Sequence, residues 1–169
     1  MDAMEKVGLN FGLVIAYLIP GFLATYAVAS RVSTIDALLG GPKRMPDAAS
    51  VVPLVLIAVG VGIIINAISA AVIRPLIHKS GVKNQPHLVE RKYTIEDMHK
   101  YNHLVETTFR FHQFYSNTLV AVVLLAPVWL VWPLQDNILR NASLLLVVAV
   151  LFHTARNSLR NFYKGLTNL

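Results

Sequence analysis

Long uncharged apolar runs alternate with polar stretches along this chain, and the runs have the length of a bilayer crossing. A helix needs about 20 mostly apolar residues to cross a ~30 Å hydrocarbon core. The first run, residues 9–30, holds no charge and carries Pro20 and Gly21 at its middle. Proline has no N–H to offer the preceding turn. A kink is therefore expected there, with the freed carbonyl covered by a neighbouring helix. The second run, 51–73, has Pro53 in its first turn, where proline is tolerated, and is expected to end at Arg74 and Pro75. The third, 115–132, closes with Trp129 and Trp132, which suit an interfacial aromatic belt. The fourth is the weakest. Its apolar stretch is 142–152, and a full span over 138–156 requires Arg140 and Arg156 to snorkel toward opposite surfaces.

Composition strengthens this reading. Charged residues make up 14% of the 169 residues and apolar residues 55%, against about 25% charged in a soluble domain. No cysteine is present, which removes disulfides, thiol nucleophiles and zinc–thiolate sites. The net charge of +6 could suit nucleic acid, but in a chain of this hydropathy basic excess reads as topological and lipid-facing, and no nucleic-acid partner is expected.

Counting cations orients the spans. With four crossings, Lys6, Arg74, Lys79, Lys83, Arg91, Lys92, Lys100, Arg110, Arg156, Arg160 and Lys164 share one side, and Arg31, Lys43, Arg44 and Arg140 the other, eleven against four. If the fourth segment dipped without crossing, the split would be eight against seven. The positive-inside rule favours four crossings with both termini in the cytoplasm. Ala27-Val28-Ala29 resembles a signal-peptidase site, but Asp2 and Glu5 outnumber Lys6 ahead of it, and a signal peptide begins positive.

Outside the spans, Gly40-Gly41-Pro42 and Pro46 mark turns, and the 133–137 connection is short enough for an antiparallel hairpin. Asn141-Ala142-Ser143 has the form of a glycosylation sequon but lies at the membrane edge. The 74–114 connection is irregular at first, around Ser80-Gly81, Asn84 and Pro86. A helix then starts at Thr94, where Thr94 and Asp97 have capping-box spacing. With no breaker before Pro127, it is expected to run into the third span. The fourth span should likewise project a basic tail, 156–169, beside the 94–114 extension. The fold class read from the sequence is all-α: a polytopic membrane domain of four transmembrane helices, the third and fourth extended into the cytoplasm.

On the extension, His99, His103, Glu106, Arg110, Gln113 and Asn117 recur every three or four residues, a single polar stripe at helical period. Arg156, Arg160 and Lys164 form a basic stripe on the tail. Three readings compete for these residues: a solvated face with an ordinary Glu106–Arg110 pair, an interaction face for a protein partner, and a metal or catalytic site at His99, His103 and Glu106. The last lacks the His-Glu-x-x-His spacing of metalloproteases, so neither a metal nor a cofactor is expected. Within the membrane, Gly62, Asn66 and Ser69 mark either a helix-packing face or the lining of an oligomeric pore. No acid or base falls at mid-span, which disfavours a coupled transporter.

The hexapeptide Tyr17-Leu18-Ile19-Pro20-Gly21-Phe22, in so small a chain, resembles segments of small bacterial inner-membrane proteins. That likeness implies a compartment and no activity. The expectation is a non-enzymatic membrane anchor or interaction module of the inner membrane. It would self-associate or join a larger membrane partner, and a cytoplasmic protein is a further candidate partner. The alternatives are an oligomeric channel or membrane-permeabilising effector, and thirdly a membrane-embedded metal enzyme.

Overall fold

The computed structural model describes residues 12, 14–29, 48–83, 94–130 and 138–167, and among them all regular structure is helical. The expected turn at Gly40-Gly41-Pro42, the irregular stretch around Asn84 and Pro86, the 133–137 hairpin connection and the Trp129 and Trp132 side chains lie outside what is described. Helix α1 (Ile19–Ala29) is entered through a π turn, Val14–Leu18. Helix α2 covers Ala48–Lys79. Helix α3 (Ile95–Leu104) continues through a second π turn, Val105–Phe109, into α4 (Arg110–Leu130). Helix α5 runs unbroken over Ile138–Leu166.

Local chemistry explains most of these boundaries. The Thr94 hydroxyl accepts from the Asp97 N–H at 3.2 Å, and the Asp97 carboxylate accepts from the Thr94 N–H at 2.9 Å. That reciprocal pair starts α3, with Asp standing where Glu or Gln is usual. Glu96 and Lys100 add an exposed i,i+4 ion pair at 2.7 Å.

Helix α2 departs from the sequence expectation. It does not stop at Arg74 and Pro75 but runs on to Lys79. Proline there removes a backbone hydrogen bond, yet the extra turns bury Ile77 in the core beside Ile73. Burying that side chain is worth about 1.5–3 kcal/mol and outweighs the lost bond, worth about 0.5–1.5 kcal/mol. The helix ends instead at Gly81, whose φ of +96° suits glycine alone. There the Ser80 hydroxyl donates to the Ile77 carbonyl at 2.7 Å.

Helix α4 is the central element and packs against α1, α2 and α5, while α1 also packs along α2. The α1–α2 crossing is close enough for backbone contact. A Cβ on Gly21 would overlap the Ala58 carbonyl, and one on Gly62 would overlap the Tyr17 carbonyl. The antiparallel α4–α5 pair is filled by Leu119, Ala155, Leu159 and Phe162, with Phe109 and Phe162 ring centres 5.0 Å apart.

Two helices, α2 and α5, hold stretches long and apolar enough to cross a membrane, Val51–Lys79 and Asn141–Leu166; Val14–Ala29 forms a shorter apolar helix. Only 17% and 11% of the two longer apolar stretches is buried within the bundle. A core helix of a water-soluble protein would bury most of such a stretch.

The crossing at Gly62 yields a direct test. Gly62→Leu should lower stability by roughly 1–3 kcal/mol or more, whereas Gly60→Leu, whose Cβ would meet no atom within 4 Å, should be nearly silent. Thermal unfolding of the two variants in detergent checks this, and equal losses would count against the close crossing.

Candidate functional site: a buried polar spine and two exposed polar faces

The sequence places one polar stripe along α3 and α4, and the structure divides it. His99 and His103 on α3 are exposed, Glu106 and Arg110 half-buried, and Gln113 and Asn117 on α4 buried. The division falls at the π turn Val105–Phe109. A π turn inserts one residue into the α-helical count, which rotates everything beyond it by about 100°. Positions spaced as one α-helical face are therefore two faces, one turned outward and one turned toward α1.

The inward part forms a connected spine. The Glu106 carboxylate lies 3.6 Å from Arg110 Nε, and Arg110 Nη1 donates to Gln113 Oε1 at 3.2 Å. Gln113 Nε2 donates to the Tyr17 hydroxyl at 3.4 Å. One turn along, Asn117 Nδ2 donates to the Ala16 carbonyl at 2.8 Å and to Asn66 Oδ1 at 3.3 Å.

The Ala16 carbonyl is the group that a residue-20 N–H would have bonded in a regular helix, and residue 20 is proline. Asn117, fully buried at 0% exposure, covers the carbonyl that Pro20 leaves open, as the sequence led us to expect of a neighbouring helix. Thr25 returns its hydroxyl to the Gly21 carbonyl at 2.8 Å, and Ser116 returns its own to His112 at 2.7 Å. Among the described residues, Glu106 Oε2, Arg110 Nε, Asn117 Oδ1 and Thr118 Oγ1 are buried without a hydrogen-bond partner.

Sequence reasoning missed His112. It lies off the α-helical stripe but is 2% exposed, and its Nδ1–H donates to the Ala155 carbonyl of α5 at 2.9 Å. Arg74 was also missed; its guanidinium sits over the Phe109 ring, 5.7 Å from the centroid. The available signal was Phe109 three residues before His112, a spacing too common to have been decisive.

The Gly62, Asn66 and Ser69 face of α2 is turned inward within one chain: Gly62 against Tyr17 of the π turn, Asn66 toward Asn117, and Ser69 buried. On the tail, Arg156 is half-buried, and its Nε and Nη2 donate to the Ser80 hydroxyl and carbonyl at 2.9 and 3.0 Å; Arg160 and Lys164 are exposed. Glu106 pairs with Arg110 at i,i+4. Among the described residues no three His, Asp or Glu side chains converge as metal ligands would.

The site is thus a set of helix-to-helix hydrogen bonds inside the bundle and two exposed polar faces at one end of it, on α3 and on the last turns of α5. Comparison with protein-family models, with curated proteins and with solved structures finds no match to this chain.

If Asn117 compensates for Pro20, the two positions are coupled. Asn117→Ala should cost about 1–2 kcal/mol in the native background. In a Pro20→Ala background, where residue 20 regains its N–H, the same change should cost roughly 1 kcal/mol less. A double-mutant cycle read by unfolding measures this. Identical costs would assign the role of Asn117 to Asn66 instead.

Proposed function

We propose that this chain is a four-span protein of the bacterial inner membrane, with both termini in the cytoplasm. It acts there as a non-enzymatic anchor or interaction module. One observation carries the membrane reading: the outside of the bundle is apolar, while polar side chains are buried within its core. Val52, Leu56, Ile63, Ile64, Leu145 and Leu146 are all more than half exposed, while Asn117, Ser116, His112, Thr25 and Ser69 are nearly fully buried. In water that distribution would be unstable; in hydrocarbon, apolar side chains face lipid and polar ones pair within the protein. The eleven-to-four division of cations supports the cytoplasmic orientation.

The module reading follows from what remains exposed beyond the apolar band. Helix α3 presents His99 and His103 alongside exposed Met98 and Tyr101. Leu104 faces Gly165 near the end of α5, so α3 reaches past the tail into solvent. A helix with imidazoles and partly apolar neighbours offers a surface to a cytoplasmic protein. Part of the apolar exterior is also available to a second copy of the chain or a larger membrane partner.

The absence of cysteine makes topology testable with single introduced thiols. The chain should resist alkaline extraction from membranes. Lys100→Cys and Lys164→Cys should react with an impermeant reagent only from the cytoplasmic face. Leu139→Cys, 87% exposed at the far end of α5, should react only from the opposite face. Labelling of all three from one side would reject the four-span topology. For the module, affinity-tagged membranes should retain a soluble cytoplasmic protein that is lost on Met98→Asp with Tyr101→Asp; retention unchanged by that pair would rule out α3 as the partner face.

A further inference from the structure

The last turns of α2 and α5 converge on a patch of positive charge that nothing in the described chain neutralises. Residues 48–83 and 138–167 contain no Asp or Glu. At their C-terminal ends they carry Lys79, Lys83, Arg156, Arg160 and Lys164. The two helices meet here: His78 stacks on Tyr163 with ring centres 5.9 Å apart, and Arg156 bonds Ser80. The nearest acids are engaged elsewhere, Glu106 with Arg110, Glu96 with Lys100 and Asp97 with Thr94. Each helix C-terminus supplies only about half a negative charge, so two helix ends fall far short of five cations.

We propose that this patch is a binding site for the phosphate headgroups of acidic phospholipids. The inference rests on the membrane reading above and deepens it. Position supports it: on α2 the exposed apolar row ends at Leu76, immediately before Lys79, and on α5 it ends at Val150, just before Arg156. The cations therefore border the apolar band at the level of the headgroups. Geometry supports it as well. A guanidinium has five N–H donors. Arg156 places two of its nitrogens on Ser80, which holds the fork in one orientation with donors remaining for a phosphate. Arg160 and Lys164 extend the row along α5, both exposed, and the half-buried Tyr163 ring lies beside them as an interfacial aromatic would.

The test uses the full chain reconstituted in vesicles of phosphatidylcholine and phosphatidylglycerol in equal amounts. After gentle extraction, the retained lipid is counted by native mass spectrometry. The native protein should retain phosphatidylglycerol preferentially. Arg160→Gln, at an exposed position, should weaken that preference on the order of fivefold, and adding Lys164→Gln should weaken it by a similar factor again. Lys100→Gln, which removes a cation already paired with Glu96, should leave the preference unchanged. An equal loss from Lys100→Gln would overturn the site in favour of net charge. So would displacement of the lipid by inorganic phosphate at millimolar level, which would assign the patch to a free anion. An alkali-resistant chain without lipid preference would overturn the lipid site alone, whereas extraction by alkali would remove the membrane reading beneath it.

Discussion

A proline in the middle of an apolar helix leaves one carbonyl open, and in a place without water that carbonyl must be met by another part of the protein. Here the open group is Ala16 and the partner is Asn117 of α4. The same side chain also reaches Asn66 of α2, so one amide holds three helices at a common level. The consequence extends to packing. Once α1 and α2 are both tied to α4, they are forced together, and only glycine at positions 21 and 62 allows their backbones to approach as closely as they do. Helix α5 is joined by other means, through His112 to its Ala155 carbonyl and through the tilted contact of the Phe109 and Phe162 rings. Helices α1, α2 and α4 are registered by buried hydrogen bonds, and α5 mainly by apolar and aromatic contact.

What could be read from the sequence was what depends on near neighbours in the chain. The capping box at Thr94, the absence of a breaker before Gly165, and the open carbonyl ahead of Pro20 are local statements, and each corresponds to an observed element. The continuation of α2 through Pro75 could not be read in this way. It depends on Ile73 and Ile77 finding Leu159 and Phe162 on a helix some eighty residues away. The π turn Val105–Phe109 was equally hidden, because no residue in it forbids the ordinary α-helical count. That single extra residue changed the meaning of the polar stripe: periodicity identified a face, but the inserted residue made it two.

The two halves of the stripe answer to different physics. Gln113 and Asn117 are buried, and their hydrogen bonds run to Tyr17, Ala16 and Asn66 within the chain. Substituting them would alter assembly before it altered any encounter with a partner. His99 and His103 are exposed on a helix that begins at its own cap and carries its own ion pair. Helix α3 begins at its own cap and continues through the π turn into α4, so its exposed outer residues are not committed to packing. A surface can specialise in this way only where its own folding does not depend on it.

The distribution of charge adds a constraint of its own. Acidic residues among the described helices lie on α3 and in the π turn after it, where each has a basic or capping partner nearby. The ends of α2 and α5 have cations alone. In water, counter-ions would satisfy such a patch at little cost. On the membrane reading proposed above, the surface beside the exposed apolar band is the headgroup layer, and its phosphates are the counter-charge present at highest local density. The inward Asn117 and the outward Arg160 thus express one condition at two depths. On that reading, polar groups within the hydrocarbon must be satisfied by the protein itself, and those at its edge by the lipid.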